Sequence, residues 1–261
     1  GLPGSPNGEL AVHSPVRPTF KAIPVVPALL AEIDGLVATD ASWQVLPDPA
    51  HHPDAPLYTM QIGFSEWRDL AAEPIGWRTG RDGDIPWQVA HVLSKDGVLA
   101  GRVLAPRPIA LLTSDIFAPV RLVDAGYVPD AGDKTNSPSY AELMAAEPHV
   151  PCPAQLETGL SVIPPPPENQ GVYLILDFGR EVFGHLAFDL EASAGTIMDV
   201  AYDELLQDGR LLTHRGNYRF ADRFVLRAGR QTFDQRLHTR SLRYLQLVLR
   251  NIQSPVHIHA V

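Results

Sequence analysis

The stretch Leu174–Thr196, LILDFGREVFGHLAFDLEASAGT, decides the fold. It opens on a continuous apolar run, breaks into charges and glycines, and resumes with strict alternation. In GHLAFDLEA, Leu186, Phe188 and Leu190 share one face while Ala187, Asp189 and Glu191 share the other, the pattern of a half-buried strand. The break from Asp177 to Gly184 reads as a corner, with Gly179 and Gly184 expected to adopt backbone angles that other residues resist. A structural joint, a sugar pocket and a catalytic loop are all compatible with such a corner.

Working outward, the period of two persists. SAGT turns the chain, Met198, Val200 and Tyr202 repeat the alternation, and QDGR at 207–210 supplies an Asp-Gly hairpin turn. Tyr218, Phe220, Phe224 and Leu226 define another strand, and SLRYLQLVLRN and PVHIHAV close the series. Short strands at this spacing predict a β-sandwich. Upstream, VPDAGDKTNSPSYAELMAAEPHVPCPAQLETGLSVIPPPPENQ (128–170) reads as a proline-rich linker or long loop, because Pro164–Pro167 favours stiff polyproline II. Within it SYAELMAAE predicts a short helix starting at Ser137 or Ser139 and stopped by Pro148. Residues 28–127 are mixed, and 1–27 carry six prolines, an extended lead-in. The expected architecture is all-β, two sandwich-like or jelly-roll-like units joined by the 128–170 segment, the second covering 171–261 with its first strands from 105–127.

At 261 residues, 45% hydrophobic and 20% charged, the chain can bury a sizeable core. No apolar run approaches the ~18 residues of a membrane helix. A net charge of −9 opposes phosphate tracking on nucleic acid. Cys152 is the sole cysteine, which excludes an intramolecular disulfide and a zinc site of paired cysteines. The start GLPGSPNGEL shows no secretory signal, and the compartment stays open.

The order of YLILDFGREVFGHLAFDL, ASAGTIMDVAYDELLQDGRL, NYRFADRFVLRAG and TRSLRYLQLVL resembles the β-sandwich region of bacterial α-L-rhamnosidases, glycoside hydrolase family 78. The resemblance covers roughly 105–261. It places the family's structural motif at Asp177, Gly179, Gly184, Gly195, Thr196, Glu204, Leu206, Asp208, Gly209, Asp222, Arg243 and Tyr244. ATDASWQVL, GWRTGRDGDIPWQVA and LAPRPIALL resemble, more loosely, the end of the galactose-binding-like jelly roll that precedes this sandwich. In the family the reaction belongs to a following (α/α)6 barrel, expected as a partner and missing from this chain. The resemblance therefore implies a non-catalytic accessory region that supports a catalytic domain or binds carbohydrate, with a calcium-assisted rhamnose-binding module and a fragment of an α-L-rhamnosidase hydrolase as alternatives, and a complete enzyme disfavoured.

The residues themselves agree. Glycoside hydrolysis uses two carboxyl groups ~5–10 Å apart. Asp203 and Glu204 are adjacent on a strand and point to opposite faces. Asp177 with Glu181 spans the corner, where an aspartate more often accepts backbone N–H groups. Asp222 shares a face with Phe220, Phe224 and Leu226 and is expected to be a buried anchor for a cation, with Arg219, Arg223, Arg240 and Arg243 as candidates. Arg219, Arg223 and Arg227 form a basic row expected to be a solvated or docking face. His257 and His259, or His51 and His52 with Asp54, are incomplete as metal sites. For carbohydrate the candidates are Trp67, Trp77 and Trp87 with Arg78, Arg81, Asp82 and Asp84, weighed against plain core packing of the tryptophans. Serine and cysteine nucleophile schemes find no Gly-x-Ser-x-Gly elbow and no base beside Cys152.

Overall fold

The computed structural model describes residues 31–33, 35, 37–59, 63–74, 76–77, 85–92, 108–129, 139–151, 161–235 and 238–261. In chain order its strands are β1 (Glu32–Ile33), β2 (Val37–Ala38), β3 (Gln44–Val45), β4 (Leu57–Thr59), β5 (Gly63–Phe64), β6 (Trp67–Asp69), β7 (Gln88–Val89), β8 (Arg121–Pro129), β9 (Val150–Pro151) and β10 (Ser161–Ile163). They continue as β11 (Gln170–Gly184), β12 (Ala187–Ala192), β13 (Ile197–Asp203), β14 (His214–Arg215), β15 (Tyr218–Arg219), β16 (Ala221–Val225), β17 (Gly229–Asp234), β18 (Arg240–Arg250) and β19 (Val256–Ala260); the helix is α1 (Tyr140–Ala146). The chain is nearly all β, as its alternation predicts.

Two compact units divide the chain, Gly1–Pro49 with Pro74–Ile116, and Ala50–Glu73 with Phe117–Val261. Among the described residues of the first unit, β1 pairs with β2 and β3 with β7. The lead-in 1–27 and much of the expected jelly roll lie outside the described residues.

The second unit is built on a seven-stranded sheet, β6-β16-β13-β18-β11-β8-β9, and a four-stranded sheet, β10-β19-β12-β17. β11 lies in the larger sheet and β12 in the smaller, so Asp177–Gly184 leads to the point where the chain passes from one sheet to the other. β16, β17, β18 and β19 likewise alternate between the sheets. Leu174, Met198, Val200, Phe224, Leu245, Leu247 and Leu249 fill the space between them with Phe188, Leu190, Phe233 and Val256. Phe188, Phe224 and Phe233 form an aromatic knot with ring centroids 5.0–6.1 Å apart.

The larger sheet is covered on its other face too. Trp67, Tyr140, Ala141, Met144, Tyr173, Ile175, Ala201, Ala221, Leu211 and Val248 make a second core there, beneath α1. Burial on both faces explains why VYLILDF and LQLVL read as continuous apolar runs rather than alternating ones.

Two boundaries differ from the sequence expectation. Residues 50–73 belong with the sandwich, because β6 adds to the sheet edge by pairing in parallel with β16. The described residues of 128–170 are part of the same unit rather than a spacer. α1 begins after Ser139 and ends before Glu147, which is extended at φ −70°, ψ 139° ahead of Pro148. It presses Tyr140 and Met144 into the second core.

Met144→Ala should therefore cost ~2–5 kcal/mol, as for a large-to-small change in a core. Urea unfolding measures it; a loss within ~0.5 kcal/mol, the range of surface sites, would mean that the helix is peripheral.

Candidate functional site

Three buried carboxylates organise the second unit. Asp222 on β16 is fully buried between the sheets. Arg240 Nη2 donates to its Oδ1 and Oδ2 at 3.1 and 3.0 Å, and Arg240 Nε to Oδ2 at 3.3 Å. The Glu66 backbone N–H donates to Oδ1 at 2.7 Å, the Tyr202 hydroxyl to Oδ2 at 3.1 Å, and Gln235 Nε2 also reaches Oδ2. The Arg240 guanidinium lies 5.0 Å from the ring centroids of both Tyr58 and Tyr202, which adds cation–π attraction to the ion pair. Burial pushes the Tyr58 phenol up to about 12 and that of Tyr202 well above its usual value. The Tyr202 hydroxyl keeps its proton, as a donor to a carboxylate requires.

On the other face of the same sheet, Asp199 accepts from Arg223 Nε at 2.6 Å, Arg223 Nη2 at 2.8 Å and Arg250 Nη1 at 2.8 Å. Arg250 also holds Glu147, just past α1. The Arg223 guanidinium sits 4.7 Å from the Tyr140 ring centroid and 5.7 Å from that of Trp67. Arg210 donates to the carbonyls of Met144 and Glu147, capping the helix end where carbonyls lack partners. The expected solvated row is thus corrected. Arg223 is buried because α1 covers this face, and Arg219 is bound to Glu142 of that helix at 2.6 Å.

At the corner, Asp177 accepts the Gly179 N–H at 2.7 Å, Arg243 Nε at 3.0 Å and Arg121 Nε and Nη2 at 3.1 and 3.0 Å. Gly179 has φ +74°, and an added Cβ would come within 3.0 Å of Val120 Cγ2, so its lack of a side chain is used twice. Gly184 is not among the residues of positive φ and faces open space, which removes the special role expected for it. Asp208 and Gly209, at φ 51° and 77°, form the expected Asp-Gly turn. The Gly195 N–H and Thr196 carbonyl both bond to Leu226, tying the turn before β13 to the end of β16. Arg243 lies over the ring of its neighbour Tyr244, 5.0 Å from the centroid, and Tyr244 is paired across the ladder with both Asp177 and Asp203.

Burial pushes Glu147 up to about 7, opposed by Arg250. The Arg243 hydrogen bonds, outweighing burial and joined by Gly179 and Arg121, hold Asp177 down at about 2. Asp203 is paired with Arg215, and Glu204 turns instead to Ser241. The sequence missed one convergence. Ser241 Oγ lies 3.0 Å from both Glu181 Oε1 and Glu204 Oε1, although these residues are distant in the chain. Both glutamates are solvent-exposed, so nothing excludes water from the space between them.

The proposed sugar platform separates. Trp67 is only 6% exposed, stacked on His52 at 3.8 Å and edge-on to Tyr140 at 6.0 Å, and is a packing residue of the second unit. Trp77, 42% exposed, and the half-buried Trp87 belong to the first unit. Arg78, Arg81, Asp82 and Asp84 lie outside the described residues. His257 and His259 stack at 6.5 Å, and no group of three or more His, Cys, Asp or Glu side chains able to hold a metal occurs among the described residues.

Residues 168–260 match the family model of the bacterial alpha-L-rhamnosidase concanavalin-like domain. Among solved structures, the chain resembles a GH78 rhamnosidase of Bacillus sp. GL1 at 30% identity, covering 43% of this chain and 12% of that one with a TM-score of 0.35. The α-L-rhamnosidase of Aspergillus terreus matches at 16% identity over 86% of this chain and 20% of that one, TM-score 0.42. That of Streptomyces avermitilis, complexed with L-rhamnose, matches at 14% identity over 86% and 17%, TM-score 0.42. The chain thus spans a fifth or less of the length of these relatives. No curated protein matches it.

Two predictions follow from the ion pairs. Asp222→Ala leaves Arg240 buried without its partner and should cost ~3–5 kcal/mol in urea unfolding, whereas Asp222→Leu combined with Arg240→Met should recover most of that loss. Because the folded Asp177 titrates below its unfolded value of 3.8, its contribution is complete above about pH 4 and disappears as pH falls toward about 2. The stability gap between the native chain and Asp177→Asn should close over that window in acid-unfolding curves.

Proposed function

We propose that this chain, whose residues 168–260 carry the concanavalin-like domain of the bacterial α-L-rhamnosidases, is a non-catalytic accessory region of a glycosidase-like protein. It supports an α-L-rhamnosidase catalytic domain, the (α/α)6 barrel expected as its partner. The observation that carries this reading is the pairing of the buried aspartates; Glu147, which burial pushes up to about 7, is itself held by Arg250. Asp177, Asp199 and Asp222 each hold at least one guanidinium, and Asp177 is kept strongly ionised. A glycosidase acid must instead hold a proton near neutral pH, usually through burial without a cation. The paired Glu181 and Glu204 are open to solvent and lack that environment.

Binding of rhamnose with calcium through the first unit is a second reading, favoured by the exposed Trp77 ring. Calorimetry with L-rhamnose in calcium buffer tests it, and loss of heat in Trp77→Ala would support it. For the accessory reading, the purified chain should release no nitrophenol from p-nitrophenyl α-L-rhamnopyranoside above the rate of a boiled control. Turnover that disappears in Glu181→Gln or Glu204→Gln would overturn it.

A further inference from the structure

The larger sheet and the segment that follows β13 carry exposed apolar side chains. Phe183, near the end of β11, is 71% exposed although it sits on a strand, and Leu205, next to Glu204, is 72% exposed. Phe183 is the ladder partner of Ser241, so the two side chains share a face, and Glu181 joins them through its hydrogen bond with the Ser241 hydroxyl.

The polar groups next to this ring are short of donors. Ser241 has one hydroxyl hydrogen, yet its Oγ lies 3.0 Å from an oxygen of each glutamate. Only one carboxylate can receive that hydrogen. Among the described residues neither Glu181 nor Glu204 has an ion-pair partner, unlike Asp177, Asp189, Asp199, Asp203 and Asp222. An apolar ring beside acceptors that need hydroxyl donors is complementary to a sugar, which presents a C–H face and vicinal hydroxyls together.

We propose that Phe183, Glu181, Glu204 and Ser241 form a carbohydrate site in which a pyranose lies on the Phe183 ring and donates its hydroxyls to the two carboxylates. The site stands on the accessory reading for its choice of sugar, and its residues all belong to the second unit.

The test is a titration of the isotope-labelled full chain with L-rhamnose, followed by backbone amide NMR shifts in calcium-free buffer. Saturable shifts at Phe183, Leu205 and Ser241, with millimolar affinity, are expected. Phe183→Ala should weaken binding about threefold to tenfold, the value of one aromatic contact. Glu204→Gln should weaken it as well, and because both side chains are exposed the melting temperatures should hold. Trp77→Ala should leave these shifts unchanged. No saturation by about 50 mM sugar overturns the proposal, as does binding indifferent to Phe183→Ala. Shifts produced by calcium chloride alone and reversed by chelator would mean an ion site instead, and shifts that follow protein concentration without sugar would mean a protein-docking face. Failure here leaves the accessory reading intact, since that reading falls only to hydrolytic turnover.

Discussion

The Asp222 carboxylate ties together parts of the chain that are far apart in sequence. Arg240 at the start of β18, Tyr202 on β13, Gln235 after β17 and the Glu66 backbone all donate to it. An ionised carboxylate taken out of water costs several kcal/mol unless charge and hydrogen bonds replace its hydration, and Asp222 has both. Its position also specifies the fold. The Glu66 N–H bond, with the Arg223 N–H donating to the Glu66 carbonyl and Leu70 to that of Val225, holds residues 50–73 against the sheet edge.

The same logic repeats at each depth of the second unit. Where α1 covers the larger sheet, its charged residues have no route to solvent, so Asp199, Arg223, Arg250 and Glu147 pair among themselves. These pairs are costly to break singly, and they fix which strand ends and which helix meet. At the surface, Glu181 and Glu204 face solvent, and Phe183 is exposed.

The alternation in GHLAFDLEA, the Asp-Gly turn at 208–209, the helix ahead of Pro148 and Asp222 as a buried anchor were all legible. Each rests on local chemistry within a few residues. The basic row was misread, because alternation says that Arg223 faces away from Phe224 but not that a helix from elsewhere covers that side. Trp67 was grouped with Trp77 and Trp87 by nearness in sequence, and the sheet edge claimed it instead.

By itself, then, the sequence determined strand periodicity, turn positions and the need of Asp222 for a cation, since these follow from side-chain alternation, backbone preference and the cost of burying charge. Only the tertiary structure decided that Arg240 supplies that cation, that β6 joins β16 in parallel, and that Glu181 and Glu204 meet at Ser241. Those choices come from chain crossings between sheets, which bring together residues whose spacing along the polypeptide carries no trace of their contact.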